Sequence, residues 1–284
     1  MAVGCDGSEP PVASALPAAA PAAATVESAA TAADTGAAQP VVSAEVVPQV
    51  ALIEQDVAYG ESAARNLVGF LALPADAAQP LPGIIVIHES WGLTDDVKAM
   101  TRRLAAEGYV ALAVDLFGGK TADTPDQALP LTRALLTEPD AVRANLKLAY
   151  EYLEKYALSP KIASIGWSLG GAWSLQTALM LPDDLDAAVM YYGQIVNRES
   201  TLDTLKMPIL GFFGALDESI AVRDVQYFRS TLSSLGKPAQ IVIYSGAREG
   251  FANPGSANYD EKAASESWEK TIAFLDESLK PAPL

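Results

Sequence analysis

The sequence predicts an α/β fold, in which a mainly parallel sheet is covered by helices on both faces. Three observations carry this. Short, wholly apolar runs such as Gly83-Ile84-Ile85-Val86-Ile87 suit strands that are buried on both sides. Stretches with helical spacing separate those runs, so β-α-β units repeat along the chain. A Gly-x-Ser-x-Gly pentapeptide, Gly166 to Gly170, stands between one such run and one such stretch.

Residues 1–48 come first. They are mostly Ala, Pro, Ser, Thr and Val, with no Lys or Arg before Arg65, and Pro17 and Pro21 interrupt the alanine runs. That composition cannot bury enough apolar area to offset chain entropy, which predicts a disordered leader or tether. Ala2-Val3-Gly4-Cys5 resembles the tail of a bacterial lipobox, in which the cysteine receives a lipid. The basic and apolar segments that precede a lipobox are missing from the sequence. Either the chain starts late, or the match is chance. The first reading implies a lipid anchor through Cys5 and a place in the bacterial cell envelope or periplasm; the second implies the cytoplasm.

Residues 49–284 read as one domain. The segments near Val57 and over Leu67 to Leu73 suit an antiparallel hairpin. Gly83 to Ile87 is a strand, Asp95 to Glu107 a helix ended by Gly108, and Tyr109 to Val114 the next strand. Pro125 to Leu136 and Asp140 to Tyr156 follow as helices. Lys161 to Ile165 is a strand again, and a helix runs from Leu169 to about Leu181. Ala187 to Tyr192, Ile209 to Phe213 and Gln240 to Tyr244 supply further strands. Helices over Ala221 to Leu235 and Ala257 to Leu279 close the pattern.

Composition excludes several function classes. A formal net charge of −16 repels nucleic acid and anionic lipid surfaces. One cysteine and one histidine allow neither an intrachain disulfide nor a cysteine zinc site. No apolar run approaches the ~18 residues of a membrane span. No cofactor or metal is expected, and the expected partner is a small molecule.

The pentapeptide has a mechanical meaning. Its serine sits on a tight strand-to-helix turn, and Gly166 and Gly170 leave room for the crossing. The turn would lift the Ser168 hydroxyl to the sheet edge at the positive end of the helix. The Leu169 N–H could then stabilise an oxyanion.

Seven blocks extend the pattern, among them GIIVIHESWGL at 83–93, IGWSLGG at 165–171, MPILGFFGALDESI at 207–220 and IVIYSGAREGFANP at 241–254. In these blocks, and over nearly all of residues 60–278, the chain resembles the dienelactone hydrolase family, which implies the α/β-hydrolase fold. The resemblance implies a serine nucleophile at Ser168, where many members have cysteine, and a triad acid at Asp217. It places the second oxyanion donor at the Ser90 N–H. Glu89 matches a glutamate that contacts the resting nucleophile in cysteine members. His88, at the end of a strand, matches a residue common there that is not the base.

The departure lies at Glu249, which occupies the position of the family's catalytic histidine. A carboxylate is a weaker base than imidazole by about two pKa units. Asp217 and Glu249 facing each other would tend to share one proton, and Arg248 could neutralise the pair. Three readings stay open: a deliberately inactivated esterase, a natural enzyme with Glu249 as an unconventional base, or a non-catalytic envelope protein that keeps the pocket for a ligand or partner. A fourth gathers Glu89, Asp217 and Glu249 around a divalent cation. In the family, arginines grip a substrate carboxylate; here the corresponding positions carry Asn253 and Lys120. Trp91, Phe117, Tyr191, Tyr192 and Phe251 would instead line a more apolar pocket. The expected activity is hydrolysis of a carboxylic ester or lactone through acyl-Ser168.

Overall fold

The computed structural model describes residues 50–62 and 65–281, so the leader and Cys5 lie outside the described residues. Eight strands form one sheet in the order β1-β2-β4-β3-β5-β6-β7-β8. The hairpin is present as β1 (Leu52–Ser62) and β2 (Arg65–Pro74), paired antiparallel. β2 runs antiparallel to β4 (Val110–Val114), and every later pairing is parallel. β3 (Gly83–Ile87), β5 (Ile162–Trp167), β6 (Ala187–Tyr191) and β7 (Ile209–Gly214) are buried along their whole length. That is why they read as unbroken apolar runs and not as alternating ones. β8 (Ala239–Tyr244) closes the far edge.

Alternate strand residues feed two cores. Ile85, Leu112, Met190 and Phe213 pack toward α3 (Pro139–Lys155), α4 (Leu169–Met180) and α6 (Val222–Ser234). Ile84, Ile165, Tyr191 and Phe212 pack toward α1 (Asp95–Ala106) and α7 (Glu261–Leu279). α2 (Pro125–Thr137) and the one-turn α5 (Glu199–Leu202) complete the set. α7 starts later than the sequence suggests: the Asp260 carboxylate caps it by accepting the Ala263 N–H at 3.0 Å, and residues 252–259 form turns instead. Among the described residues no helix is long and apolar enough to cross a membrane.

Strand order places the site. From β3 the chain moves outward to β4, then returns to β5 on the other side of β3. The loops after β3 and β5 therefore leave the sheet in opposite directions and open a crevice between their carboxyl ends, where ligands bind in open α/β sheets. His88 to Gly92 follows β3, and Ser168 follows β5.

Candidate active site

The crevice is built first from glycine. Ser168 ends β5 and caps α4 with φ 50° and ψ −112°, in the left-handed half of backbone space, which side chains other than glycine rarely enter. The turn is so tight that a Cβ on Gly166 would lie 2.2 Å from the Gly170 carbonyl oxygen, and one on Gly170 2.1 Å from that of Ile87. Backbone therefore touches backbone at the crossing, and the half-buried Ser168 hydroxyl is held at its apex.

Glu249 reaches it. The Ser168 hydroxyl donates to Glu249 Oε1 at 2.7 Å, and the Ser219 hydroxyl donates to Glu249 Oε2 at 2.9 Å. The Asn258 side-chain amide fixes the turn by donating to the Glu249 carbonyl at 2.9 Å. Asp217 is buried, and its Oδ1 accepts backbone N–H groups from Ser219 at 2.7 Å and Ile220 at 3.0 Å. Its Oδ2 is buried with no partner among the described residues. Burial, then the like charge of Glu249, push the Asp217 carboxyl above the usual range, against those two backbone bonds.

Two expectations are corrected here. Asp217 and Glu249 make no hydrogen bond to each other, because Glu249 is turned to two hydroxyls and Asp217 to its own turn. Arg248 does not neutralise the pair: it points outward and pairs with Glu218 at 2.6 Å.

The loop after β3 forms the other wall. His88 is fully buried, donates through Nδ1 to the Glu89 carbonyl at 2.6 Å, and accepts the Leu116 N–H on Nε2 at 3.0 Å. Both ring nitrogens are spent on tying the β3 and β4 loops together, and burial lowers the imidazole pKa, so His88 is no displaced base. Glu89 accepts from the Tyr192 hydroxyl at 3.3 Å and from the Asn253 amide at 3.1 Å. Burial first, and the charges of Glu249 and Asp96 after it, raise its pKa against those bonds. Tyr192 has φ 38°, a second strained residue at the crevice. The Ser90 and Leu169 N–H groups donate to no other group among the described residues. Trp91, half-exposed, stands two places after Glu89.

Other predicted residues belong elsewhere. Phe251 and Tyr191 are fully buried, and Phe251 packs edge-on against Tyr192 and Tyr244 at 5.3 Å. Phe117 is buried against His88 at 4.8 Å. Phe117 and Phe251 are core and line no pocket at the crevice, and Tyr191 borders only a separate cleft between α1 and α7. Among the described residues no group of carboxylates converges as a metal site, so Glu89, Asp217 and Glu249 do not form the cation cluster considered from sequence. Ser219 was missed. Its signal was the Asp-x-Ser spacing of Asp217 and Ser219, which an Asx turn favours.

Comparison with known proteins agrees with this fold. A family model described as the dienelactone hydrolase family matches residues 67–279. The chain is 33% identical to Protein usf of Aquifex pyrophilus over 218 residues, 74% of this chain and 93% of that one. It is 30% identical to a candidate carboxymethylenebutenolidase of Aquifex aeolicus, covering 75% of this chain and 94% of the relative. Among solved structures, a candidate dienelactone hydrolase from Klebsiella pneumoniae aligns with TM-score 0.71 at 28% identity, over 80% of this chain and 99% of its own.

Proposed function

This chain belongs to the dienelactone hydrolase family, and from that premise we propose that it hydrolyses a small carboxylic ester or lactone through an acyl-Ser168 intermediate, with Glu249 as the base. The observation that carries the reading is the 2.7 Å bond from the Ser168 hydroxyl to Glu249 Oε1. It lies within the reach required of a general base. As Oγ attacks the substrate carbonyl, Oε1 takes its proton, and the developing oxyanion meets the Ser90 and Leu169 N–H groups. The tetrahedral adduct then expels the alkoxide, which receives the proton from Glu249. Water repeats the cycle on the acyl-enzyme and releases the acid.

A carboxylate accepts this proton less readily than imidazole, so attack on the carbonyl is the harder half of the cycle and activated esters, whose carbonyls are more electrophilic, are the favoured substrates. Neither Arg248, held by Glu218, nor Asn253, turned to Glu89, is free to grip a substrate carboxylate, and of the positions where the family carries arginines only the exposed Lys120 bears a charge. Neutral esters fit the site better than anionic lactones.

The test is hydrolysis of p-nitrophenyl acetate, with fluorophosphonate labelling of Ser168. The expected wild-type rate is low but abolished in Ser168→Ala, and Glu249→His raises it about a hundredfold or more. Between pH 7.5 and 5.5 the histidine variant should lose most of its rate, as the reference imidazole pKa of ~6.5 requires. One observation favours a second reading, a pocket kept for binding without turnover: Asp217 Oδ2 has no partner, so the usual bond from acid to base is gone. That reading takes over if neither wild type nor Glu249→His exceeds Ser168→Ala and neither is labelled.

A further inference from the structure

A second cleft, with a volume of about 240 Å³, lies between α1 and α7. Met100, Arg103, Trp167, Pro254, Tyr259 and Trp268 are among its walls. The Arg103 guanidinium lies over the Trp268 ring, 3.8 Å from its centroid. Stacking satisfies the face of the guanidinium and leaves its in-plane N–H groups for a partner. Among the described residues Arg103 makes no ion pair and no hydrogen bond. Arg103 is exposed overall, but its head group is held against the ring. An anion would meet a charge already positioned by that contact.

The remaining features narrow that anion. The exposed Tyr259 offers ring surface to a planar body, with the buried Trp167 beside it in the wall. Glu261 stands in the same wall and opposes a second negative charge. The volume falls below the usual range of drug-sized pockets, roughly 300–1,000 Å³, which suits a single ring. We propose that this cleft is a ligand site for a small aromatic monocarboxylate, held edge-on by Arg103.

The site is separate from Ser168. Residues 252–254 form a partition whose faces look both ways: Asn253 turns to Glu89, while Ala252 and Pro254 line the cleft. Occupancy of the cleft therefore does not require the nucleophile, and the inference does not depend on turnover.

The experiment is calorimetric titration of the full chain with benzoate, with its neutral analogue benzamide as control. Benzoate is expected to bind one saturable site in the millimolar range. Arg103→Gln is expected to weaken it at least tenfold, the loss typical of a charge-assisted bond. Arg103→Lys, which keeps the charge but not the fork, should fall between, and its melting temperature reports whether α1 and α7 still pack. Ser168→Ala should bind as the wild type does. The proposal is overturned if benzoate shows no saturable binding, if benzamide or the Arg103→Gln protein binds equally well, or if Ser168→Ala abolishes binding.

Discussion

At the scale of single residues, the proposed mechanism asks Glu249 to act as a base without the support that a histidine would have. An imidazole can bond the triad acid and the nucleophile at once through nitrogens on opposite sides of its ring. The shorter carboxylate of Glu249 meets Ser168 with one oxygen and the Ser219 hydroxyl with the other. Ser219 is in turn bonded to Asp217 through its backbone N–H. Asp217 thus touches Glu249 only indirectly, by shaping the turn that presents Ser219. Ser219→Ala deletes the hydroxyl and keeps the backbone bond, so it isolates this contact. A net hydrogen bond is worth about 0.5–1.5 kcal/mol, and kcat/KM should fall roughly threefold to tenfold. Ser219→Thr should retain most of the rate. An unchanged kcat/KM in the alanine variant would remove Ser219 from the account.

Elements explain why some of this could be read from sequence and some could not. The strands were legible because burial on both faces demands continuous apolar residues, and the elbow because glycine alone fits where β5 crosses α4. Gly170→Ala should therefore cost about 3 kcal/mol or more, since the new methyl meets the backbone of Ile87 and not a movable side chain. Gly246→Ala, with nothing within 4 Å of its Cβ, should leave the melting temperature nearly unchanged. Thermal denaturation of the two variants makes the comparison directly. The partners of Glu249 were not legible, because a turn leaves no periodic trace and any exposed serine resembles another. Phe251 and Tyr191 misled for a related reason: an aromatic residue beside a motif looks the same whether it faces the crevice or the sheet.

Across the whole molecule, charge sets the conditions under which the site is most stable. The chain carries a formal charge of −16, and burial raises the pKa values of Asp217 and Glu89. A carboxyl whose pKa is higher in the folded state binds its proton more tightly there, so it favours folding at low pH. That contribution is lost as pH rises from the ordinary carboxylate range, about 4, through the raised folded values. Self-repulsion acts in the same direction. The melting temperature should be higher at pH 5 than at pH 8, and Glu89→Gln should narrow the difference; a higher value at pH 8 would contradict this. The elbow itself has a consequence for how such a protein can change. Ser168 is embedded in main-chain contacts, so nearly any alteration there damages the fold. Glu249 hangs from a partly exposed turn by a single side chain. The group that meets the serine and the architecture that holds it are thus separately inheritable: one codon at position 249 can exchange the partner of the Ser168 hydroxyl while the scaffold that aims the serine stays as it was.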